Sequence, residues 1–464
     1  MSVRHFRNKE ASLWQSATDK VISASNAGNA QDVDSAPAIT PAAPNTPEMA
    51  ASDAVAAAVD QEAPLPPTTG SADVRSEGVG DVAKFCASAA FQLARARAKQ
   101  LITGDGADVK KFQEELGARF GTCDPKWAEA IAEFVRTRVG NDVIPYRRYT
   151  SLSDFVIDGQ LASKSRVALV GDWGTGDDGA RLLLRQIVGK QPDVVIHLGD
   201  VYYSGTDHEF QNYFYSVWQN MLGLPLVTWG GKLTAPSKPL TFTLAGNHDM
   251  YAGGKPYYAA LDVIGQPASY FCLRNKDWQF IAMDTGLHDA DPTKSSVTFL
   301  EDTEVAWIKD KIQNAGGRKT VLLSHHQLFT TFEDIGPVGN KINQTLQKQL
   351  GDILGDVTVW YWGHEHDFVV YPKFMNVLAR CIGHGAVPVG VSQIGKPSDS
   401  VKFEDFRLAP DSDGGLFQHG YAIMDLDGAS AKVTHYQFDA ISQDEAVIFE
   451  EDFPAASTST SAGS

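Results

Sequence analysis

Short apolar runs alternate with amphipathic segments from about residue 166 onward. RVALVG at 166–171 and DVVIHLG at 193–199 flank the helical pattern ARLLLRQIV, which predicts a β-α-β unit. Later apolar runs predict further strands, and two amphipathic segments between them predict helices. The runs are LTFTLAG, WQFIAMD, TVLLSHH and VTVWYWGH, and the helical segments are TEVAWIKDKIQNA and INQTLQKQLGDIL. This alternation indicates an α/β fold, with a domain predicted over residues 160–445.

Residues 80–142 show a different pattern, with apolar side chains spaced for one face of a helix. Asp124 and Pro125 resemble a helix N-cap followed by a first-turn proline. We therefore predict a small helical unit here. Two roles stay open: a cover packed on the α/β domain, or a contact surface for a partner or a second copy of the chain.

The two ends of the chain have little apolar bulk. Residues from about 25 to 79 are rich in Ala, Pro, Ser, Thr and Asp, and the tail PAASTSTSAGS is similar. Such composition buries too little apolar surface to offset the entropy of ordering. We predict that residues 1–79 and 454–464 are mostly disordered.

Charge and cysteine usage limit the partners and the compartment. The 464 residues contain 40 Lys and Arg against 57 Asp and Glu, for a net charge of −17. A nucleic-acid partner is not expected, because a polyanion needs a basic surface. The chain shows no membrane span and no signal-peptide core, and its four cysteines lack CxxC spacing. These features predict a cytoplasmic protein.

Five short polar blocks carry the chemistry of the chain, and each comes directly after an apolar run. The blocks are GDWGTG at 171–176, GDVYY at 199–203, GNHD at 246–249, SHH at 324–326 and GHEH at 363–366. Any one of them is ordinary turn chemistry, because Gly tolerates a positive φ and Asp or Asn caps a helix. Five in succession are difficult to explain as independent turns. Together they predict a metal-dependent hydrolase.

The blocks supply oxygen and nitrogen donors that suit hard or borderline metals. The candidate ligands are Asp172, Asp200, Tyr203, Asn247, His325, His364 and His366. Two cations about 3.5–4 Å apart need an anionic bridge, for which Asp200 is the candidate. Metal coordination lowers the pKa of water towards about 7, and paired cations neutralise a phosphoryl group. These donors therefore predict phosphoester hydrolysis with a metal-bound hydroxide as nucleophile.

Other histidines are candidates for proton transfer and substrate contact. His248 is placed to donate a proton to the leaving alkoxide, with Asp249 orienting its ring, although holding the turn is an alternative role. His326, His208 and His384 are candidate substrate contacts. An exposed loop position for His208 and a turn-capping role for His384 remain open. His197 lies inside an apolar run and is predicted to belong to the core.

The series DxG, GDxxY, GNHD, a single histidine and GHxH resembles the calcineurin-like metallophosphoesterase superfamily, and within it the purple acid phosphatases. Gly174 stands where most of the superfamily has a metal-binding histidine, and Tyr203 follows Asp200 by three residues. The resemblance extends from about Arg166 to Asp427. It implies a β-sandwich flanked by helices, with β-α-β units.

The same resemblance implies two ligand sets. One metal would be held by Asp172, Asp200, Tyr203 and His366, and the other by Asp200, Asn247, His325 and His364. A phenol with a pKa near 10 binds at neutral pH only to a strong Lewis acid, which favours Fe(III), with Fe(II), Zn or Mn as the second ion. The alternative is that Tyr203 is a packed aromatic and that Tyr202, or no tyrosine, coordinates.

The resemblance implies a phosphomonoesterase that acts on a small phosphorylated substrate. Two alternatives stay open: a phosphodiesterase acting on a nucleotide or lipid headgroup, and a non-catalytic scaffold on the same fold. A reducing compartment argues against iron. The loop 329–343 and the segment 386–420 depart from the family pattern, and loops of this kind determine the choice of substrate.

Overall fold

The computed structural model of the chain describes residues 143–202, 204–289, 297–337, 339–391, 397–404 and 408–455. The predicted disordered segment 1–79, the helical unit 80–142, Tyr203 and the tail beyond residue 455 lie outside the described residues. Those assignments therefore stay predictions. The strands extend from Val156 to Phe453, somewhat beyond the catalytic boundaries predicted from the sequence.

One sheet, here called sheet A, has seven strands in the order β1-β5-β6-β7-β8-β10-β9. Its central strands β6, β7 and β8 run parallel, and β9 pairs antiparallel with β10 at one edge. Its members are β1 (Val156–Asp158), β5 (Phe271–Arg274), β6 (Trp278–Ala282), β7 (Lys319–Leu323), β8 (Val359–Trp362), β9 (Phe368–Phe374) and β10 (Val377–Ile382).

Sheet B has six strands in the order β13-β12-β11-β2-β3-β4. The strands β2, β3 and β4 are parallel, and β11 to β13 form an antiparallel meander that joins them through β2. Its members are β2 (Lys164–Val170), β3 (Val194–His197), β4 (Leu240–Thr243), β11 (His419–Asp427), β12 (Ser430–Phe438) and β13 (Glu445–Phe453).

The described helices lie in the connections between strands. Asp177 caps the first of them by accepting a hydrogen bond from the backbone N–H of Ala180, and Asn343 caps the last in the same way. A π-helical stretch, Phe210–Tyr215, joins the second and third helices. The helices are α1 (Asp178–Gly189), α2 (Asp207–Glu209), α3 (Ser216–Leu222), α4 (Asn247–Tyr251), α5 (Lys255–Ile264), α6 (Asp302–Gln313) and α7 (Gln344–Leu350).

The two sheets pack face to face with helices on the outer faces. One apolar cluster fills the space between the sheets and includes Leu169, Ile196 and Tyr361. A second lies between sheet B and the helices α1, α3 and α5, and a third lies between sheet A and the helices α6 and α7. The core strands are therefore buried on both sides, as expected for continuous apolar runs.

The fold predicted from the apolar runs is confirmed. β2, α1 and β3 form the expected parallel β-α-β unit, with Val167 paired to Val194. The β-sandwich flanked by helices agrees with the metallophosphoesterase resemblance. Among the helices in the described part of the chain, none combines the length and the apolar composition that crossing a bilayer requires.

Candidate metal centre

The candidate ligands in the described part of the chain lie on turns that follow five strands. Asp172 follows β2, Asp200 follows β3 and Asn247 follows β4, all in sheet B. His325 follows β7, and the two histidines of GHEH follow β8, both in sheet A. The carboxyl ends of parallel strands meet at one edge of a sheet, where ligands bind in open α/β folds. Both sheets therefore contribute donors to one site.

Several of these turns hold their ligands in a sparsely populated backbone conformation. Asp172, Asp200 and His364 have φ values of 54°, 78° and 67°, which are uncommon for residues other than glycine. Such conformations persist only where the surrounding structure determines them, and they occur preferentially at functional sites. The unusual backbone agrees with a site shaped for binding.

One half of the site gathers around Asp172. The phenol oxygen of Tyr202 lies 2.9 Å from Asp172 Oδ1 and 3.0 Å from His366 Nε2. His366 Nε2 lies 3.5 Å from the same carboxylate oxygen. The other carboxylate oxygen accepts a hydrogen bond of 2.9 Å from the backbone N–H of His364. Carboxylate, phenol and imidazole thus converge within a few ångströms.

The other half gathers around a single nitrogen. His325 Nε2 lies 3.2 Å from Asn247 Oδ1, 3.3 Å from His364 Nδ1 and 3.4 Å from Asp200 Oδ2. One N–H can point at only one of these three atoms, so the remaining lone pairs face one another. A cation between them would satisfy all of the lone pairs at once. The residues therefore fit a metal ion.

The ring and amide orientations support this interpretation. His325 Nδ1 lies 2.9 Å from the backbone oxygen of Leu198, which leaves Nε2 directed at the other donors. The side-chain amide nitrogen of Asn247 donates to the hydroxyl of Tyr251 at 2.6 Å, which leaves its oxygen facing His325. The two contacts thus leave a lone pair of Asn247 Oδ1 facing His325 Nε2, where we place the cation.

Glycine is required where backbone approaches the carboxylates. A Cβ atom on Gly246 would overlap Asp200 Oδ1, and one on Gly363 would overlap Asp172 Oδ2. The glycines of GNHD and GHEH are therefore explained by close packing as well as by turn chemistry.

Asp249 holds the turn that carries Asp200. Its carboxylate accepts backbone hydrogen bonds from Gly246 at 2.8 Å, from Asp200 at 2.9 Å and from Val201 at 2.8 Å. Burial and the charge of Asp200 raise the pKa of Asp249 to about 8, against the lowering effect of the backbone donors. A cation beside Asp200 would favour the charged form of Asp249.

The carboxylates change the proton affinity of the histidines. Burial alone lowers the pKa of His325, but Asp200 and Asp172 outweigh it and raise that pKa to about 9. Burial also raises the pKa of Asp200, yet the neighbouring His325 and His248 bring it well below its usual value. A metal that binds at His325 Nε2 would therefore compete with a proton for that nitrogen.

Residues 165–368 match the family described as calcineurin-like phosphoesterase. This segment of the chain is a calcineurin-like phosphoesterase domain. The matched range contains all the described candidate ligands. Comparison with curated proteins finds no matching sequence.

Solved structures with a similar fold include a dimetal phosphatase from Danio rerio, at 12% identity and a TM-score of 0.39, covering 61% of this chain and 98% of that one. A predicted phosphoesterase from Streptococcus pneumoniae is similar at 13% identity and a TM-score of 0.28, covering 63% and 99%. Vps29 from Chaetomium thermophilum is similar at 12% identity and a TM-score of 0.27, covering 62% and 98%.

Among the described residues, Tyr202 is the tyrosine whose phenol contacts Asp172 and His366. Tyr203, the residue predicted from the sequence to bind the first metal, lies outside them. Tyr202 is fully buried, and burial together with Asp172 and Asp200 raises the pKa of its phenol well above the usual value. The alternative in which Tyr202 supplies the phenol is therefore the one for which the structure shows contacts.

His326 is adjacent to the centre but directs both ring nitrogens at other residues. Nδ1 lies 3.0 Å from Thr285 Oγ1 and Nε2 lies 3.0 Å from Asp289 Oδ2. Its ring centroid is 4.4 Å from that of His364, and His325, His326 and His364 also form a group able to hold an ion. A direct substrate contact by His326 stays a prediction.

The remaining histidines differ in their surroundings. The backbone N–H of His248 donates to Asp200 Oδ1 at 3.1 Å, and its ring lies 4.6 Å from that of Tyr202. His208 is exposed on α2 beside Asn212. The substrate contact predicted for His208 and the proton donation predicted for His248 both remain untested.

His384 and His197 are interior residues. His384 is buried, with its ring 5.3 Å from that of Phe368, and burial lowers its pKa to about 3. The substrate contact predicted for His384 stays a prediction. His197 lies beside Thr243 and Phe214 in the core, as the sequence predicts.

Sequence reasoning did not identify Thr285, Asp289 or Tyr251, which support the site. Thr285 belongs to the AMDTG segment at 282–286, whose glycine abuts the backbone of Gly246. The small residues after β6 were the available indication, since a glycine at a strand end marks close backbone approach.

Proposed function

We propose that this chain is a dinuclear metal-dependent phosphomonoesterase. One observation carries the proposal: donors from five separate turns, contributed by both sheets, meet at two adjacent points with their lone pairs facing one another. Structural packing alone would not direct three unshared acceptors at one imidazole nitrogen, because unpaired buried polar groups are costly.

Each point would hold one cation. Asp172, Asp200, His366 and a tyrosine phenol would bind the first, and Asp200, Asn247, His325 and His364 would bind the second, with Asp200 shared. Cations bound there lower the pKa of water and neutralise charge on a phosphoryl group. The burial of the donors limits competing water and strengthens these electrostatic effects.

The protein's own residues orient the reaction. Asp249 fixes the Asp200 turn through three backbone hydrogen bonds, and Tyr251 fixes the amide of Asn247. The imidazole of His248 lies 4.6 Å from the ring of Tyr202 and 4.9 Å from the ring of Tyr251, between ring centroids. It is the group we assign to deliver a proton to the leaving oxygen.

A phenol ligand favours Fe(III) in the first position, with Fe(II), Zn or Mn in the second. Elemental analysis of the purified protein joined to an absorption spectrum tests this assignment. We expect about two metals per chain and a visible charge-transfer band. Loss of the band in Tyr202→Phe but not in Tyr203→Phe would assign the ligand to Tyr202, and the reverse would assign it to Tyr203.

A colourless, active Zn or Mn protein would contradict the iron assignment and leave hydrolysis intact. Less than about one metal per chain, without activity on addition of Fe, Zn or Mn, would contradict the enzyme proposal itself. The ester class is tested by comparing p-nitrophenyl phosphate with bis-p-nitrophenyl phosphate. Clearly faster diester turnover would replace the monoesterase with a phosphodiesterase.

A further inference from the structure

A tight turn over residues 286–289 contacts, at both ends, residues that adjoin the candidate ligands Asn247 and His325. Gly286 abuts the backbone of Gly246, and the Asp289 carboxylate lies 3.0 Å from His326 Nε2. The backbone N–H of Asp289 donates to the oxygen of Gly286 at 3.0 Å, which closes the turn. His288, between these two contacts, is therefore held at the rim of the site.

The ring of His288 stacks on Phe299. Their centroids are 3.8 Å apart and their planes differ by 11°. Phe299 is positioned independently of His288, because its neighbour Thr298 donates a side-chain hydrogen bond to the backbone oxygen of Thr285. Thr285 in turn contacts His326, so both rings are tied to the same edge of the centre.

The His288 ring of this stack is also held by a hydrogen bond with Glu301. His288 Nε2 lies 3.0 Å from Glu301 Oε1, and Glu301 Oε2 accepts a hydrogen bond of 3.1 Å from Arg148. The Arg148 guanidinium lies 5.1 Å from the ring centroid of Tyr146. A ring pair held on several sides loses little entropy when a ligand stacks on it.

Phe299 nevertheless leaves 40% of its surface accessible. Among the described residues it is the one aromatic side chain in the set of exposed large apolar residues. An aromatic ring that is held rigidly and left open beside a polar centre is typical of a ligand-binding surface.

We propose that the His288–Phe299 pair, the aromatic platform, binds a flat aromatic ring on the leaving group of the substrate. The inference rests on the proposed function and deepens it by naming the substrate class. The metal centre would hold the phosphoryl group, and the platform would stack the ring of an aryl or nucleoside ester. Phosphate esters of small aliphatic alcohols lack a ring and gain nothing from the platform.

Binding of two non-hydrolysable phosphonates to the metal-loaded full chain tests the proposal by calorimetry. We expect phenylphosphonate to bind about tenfold more tightly than methylphosphonate, as stacking on one open ring implies. In Phe299→Ala this ratio falls towards unity, whereas affinity for methylphosphonate is unchanged. Phe299→Leu, which keeps apolar bulk but lacks the ring, lies between the two.

Val447→Ala is the matched control, because Val447 is an exposed apolar residue on β13, with 52% of its surface accessible. It is expected to behave as the unaltered protein. Equal affinity for the two phosphonates, a ratio unchanged in Phe299→Ala, or no binding of either compound would each overturn the platform.

Turnover separates this inference from the proposed function and distinguishes the two sources of the ring. We expect kcat/KM to be higher for phenyl phosphate or adenosine 5′-monophosphate than for glycerol 2-phosphate, with the preference lost in Phe299→Ala. The better of the two aromatic esters identifies an aryl or a nucleoside leaving group. Ring-dependent binding without any hydrolysis would refute the phosphoesterase proposal and leave the platform in place.

Discussion

Replacing Asp249 with asparagine tests whether the backbone of the GDVYY turn determines metal binding. The carboxylate accepts three backbone hydrogen bonds of 2.8 to 2.9 Å and is fully buried. Asparagine keeps one oxygen, so at least one N–H is left facing an amide NH₂. In the metal-loaded protein a cation beside Asp200 would favour the charged form of this carboxylate, and hydrogen bonds to a charged acceptor contribute about 1.5–3 kcal/mol each. A buried unsatisfied donor costs about 1–3 kcal/mol.

We therefore expect Asp249→Asn to lower the free energy of unfolding by about 2–5 kcal/mol. We also expect metal affinity to fall about 10- to 100-fold, as when a residue that supports a ligand is lost, because the Asp200 turn is no longer fixed. Urea unfolding measures the first effect. Competition with a chelator measures the second.

Asp439 provides a matched control far along the chain. Its buried carboxylate accepts backbone hydrogen bonds from Ser412 at 2.7 Å, Ile441 at 2.8 Å and Ser442 at 3.2 Å. Asp439→Asn should cost similar stability without changing metal affinity. Normal metal affinity in Asp249→Asn, or an equal loss in both variants, would refute the reasoning.

Two further predictions concern the close packing of Gly246 against Asp200 and the ion pair of Glu451 with Arg380. Gly246→Ala places a methyl group on Asp200 Oδ1, so we expect the variant to lose bound metal but to keep a cooperative unfolding transition. Full metal content by elemental analysis would contradict this expectation. Burial raises the pKa of Glu451, but His435 and Arg380 bring it down to about 2, so its ionised form stabilises the fold above its ordinary pKa of 4.5. As pH is lowered from 4.5 to about 2, the free energy of unfolding of the unaltered protein should fall by about 3 kcal/mol more than that of Glu451→Gln. Parallel curves of unfolding free energy against pH for the two proteins would exclude this contribution.

The central strands were predictable because their evidence is local. RVALVG, DVVIHLG and TVLLSHH are continuous apolar runs that end in a turn residue, and each corresponds to a strand buried on both sides. The strands from 368 to 453 were not assigned from the sequence. Their partners lie far away, as where Ile423 of β11 pairs with Ala168 of β2, and no local pattern encodes such a pairing.

The site shows the same division between local and distant information. The donors were identifiable because each ends an apolar run, and their order along the chain matches a family pattern. Which of the adjacent residues Tyr202 and Tyr203 turns its phenol inward depends on the backbone of one turn. The contacts of His326 with Thr285 and Asp289 depend on the approach of β6 to β7, which sequence spacing does not reveal.

Because sheet B supplies Asp172, Asp200 and Asn247 while sheet A supplies His325, His364 and His366, each proposed ion would bridge the two halves of the sandwich. Ions in that position would link sheet A to sheet B, and their binding free energy would oppose any displacement of one sheet relative to the other. Chelation would then loosen the whole domain rather than one loop. The ions proposed for catalysis would thereby also stabilise the packing of the two sheets.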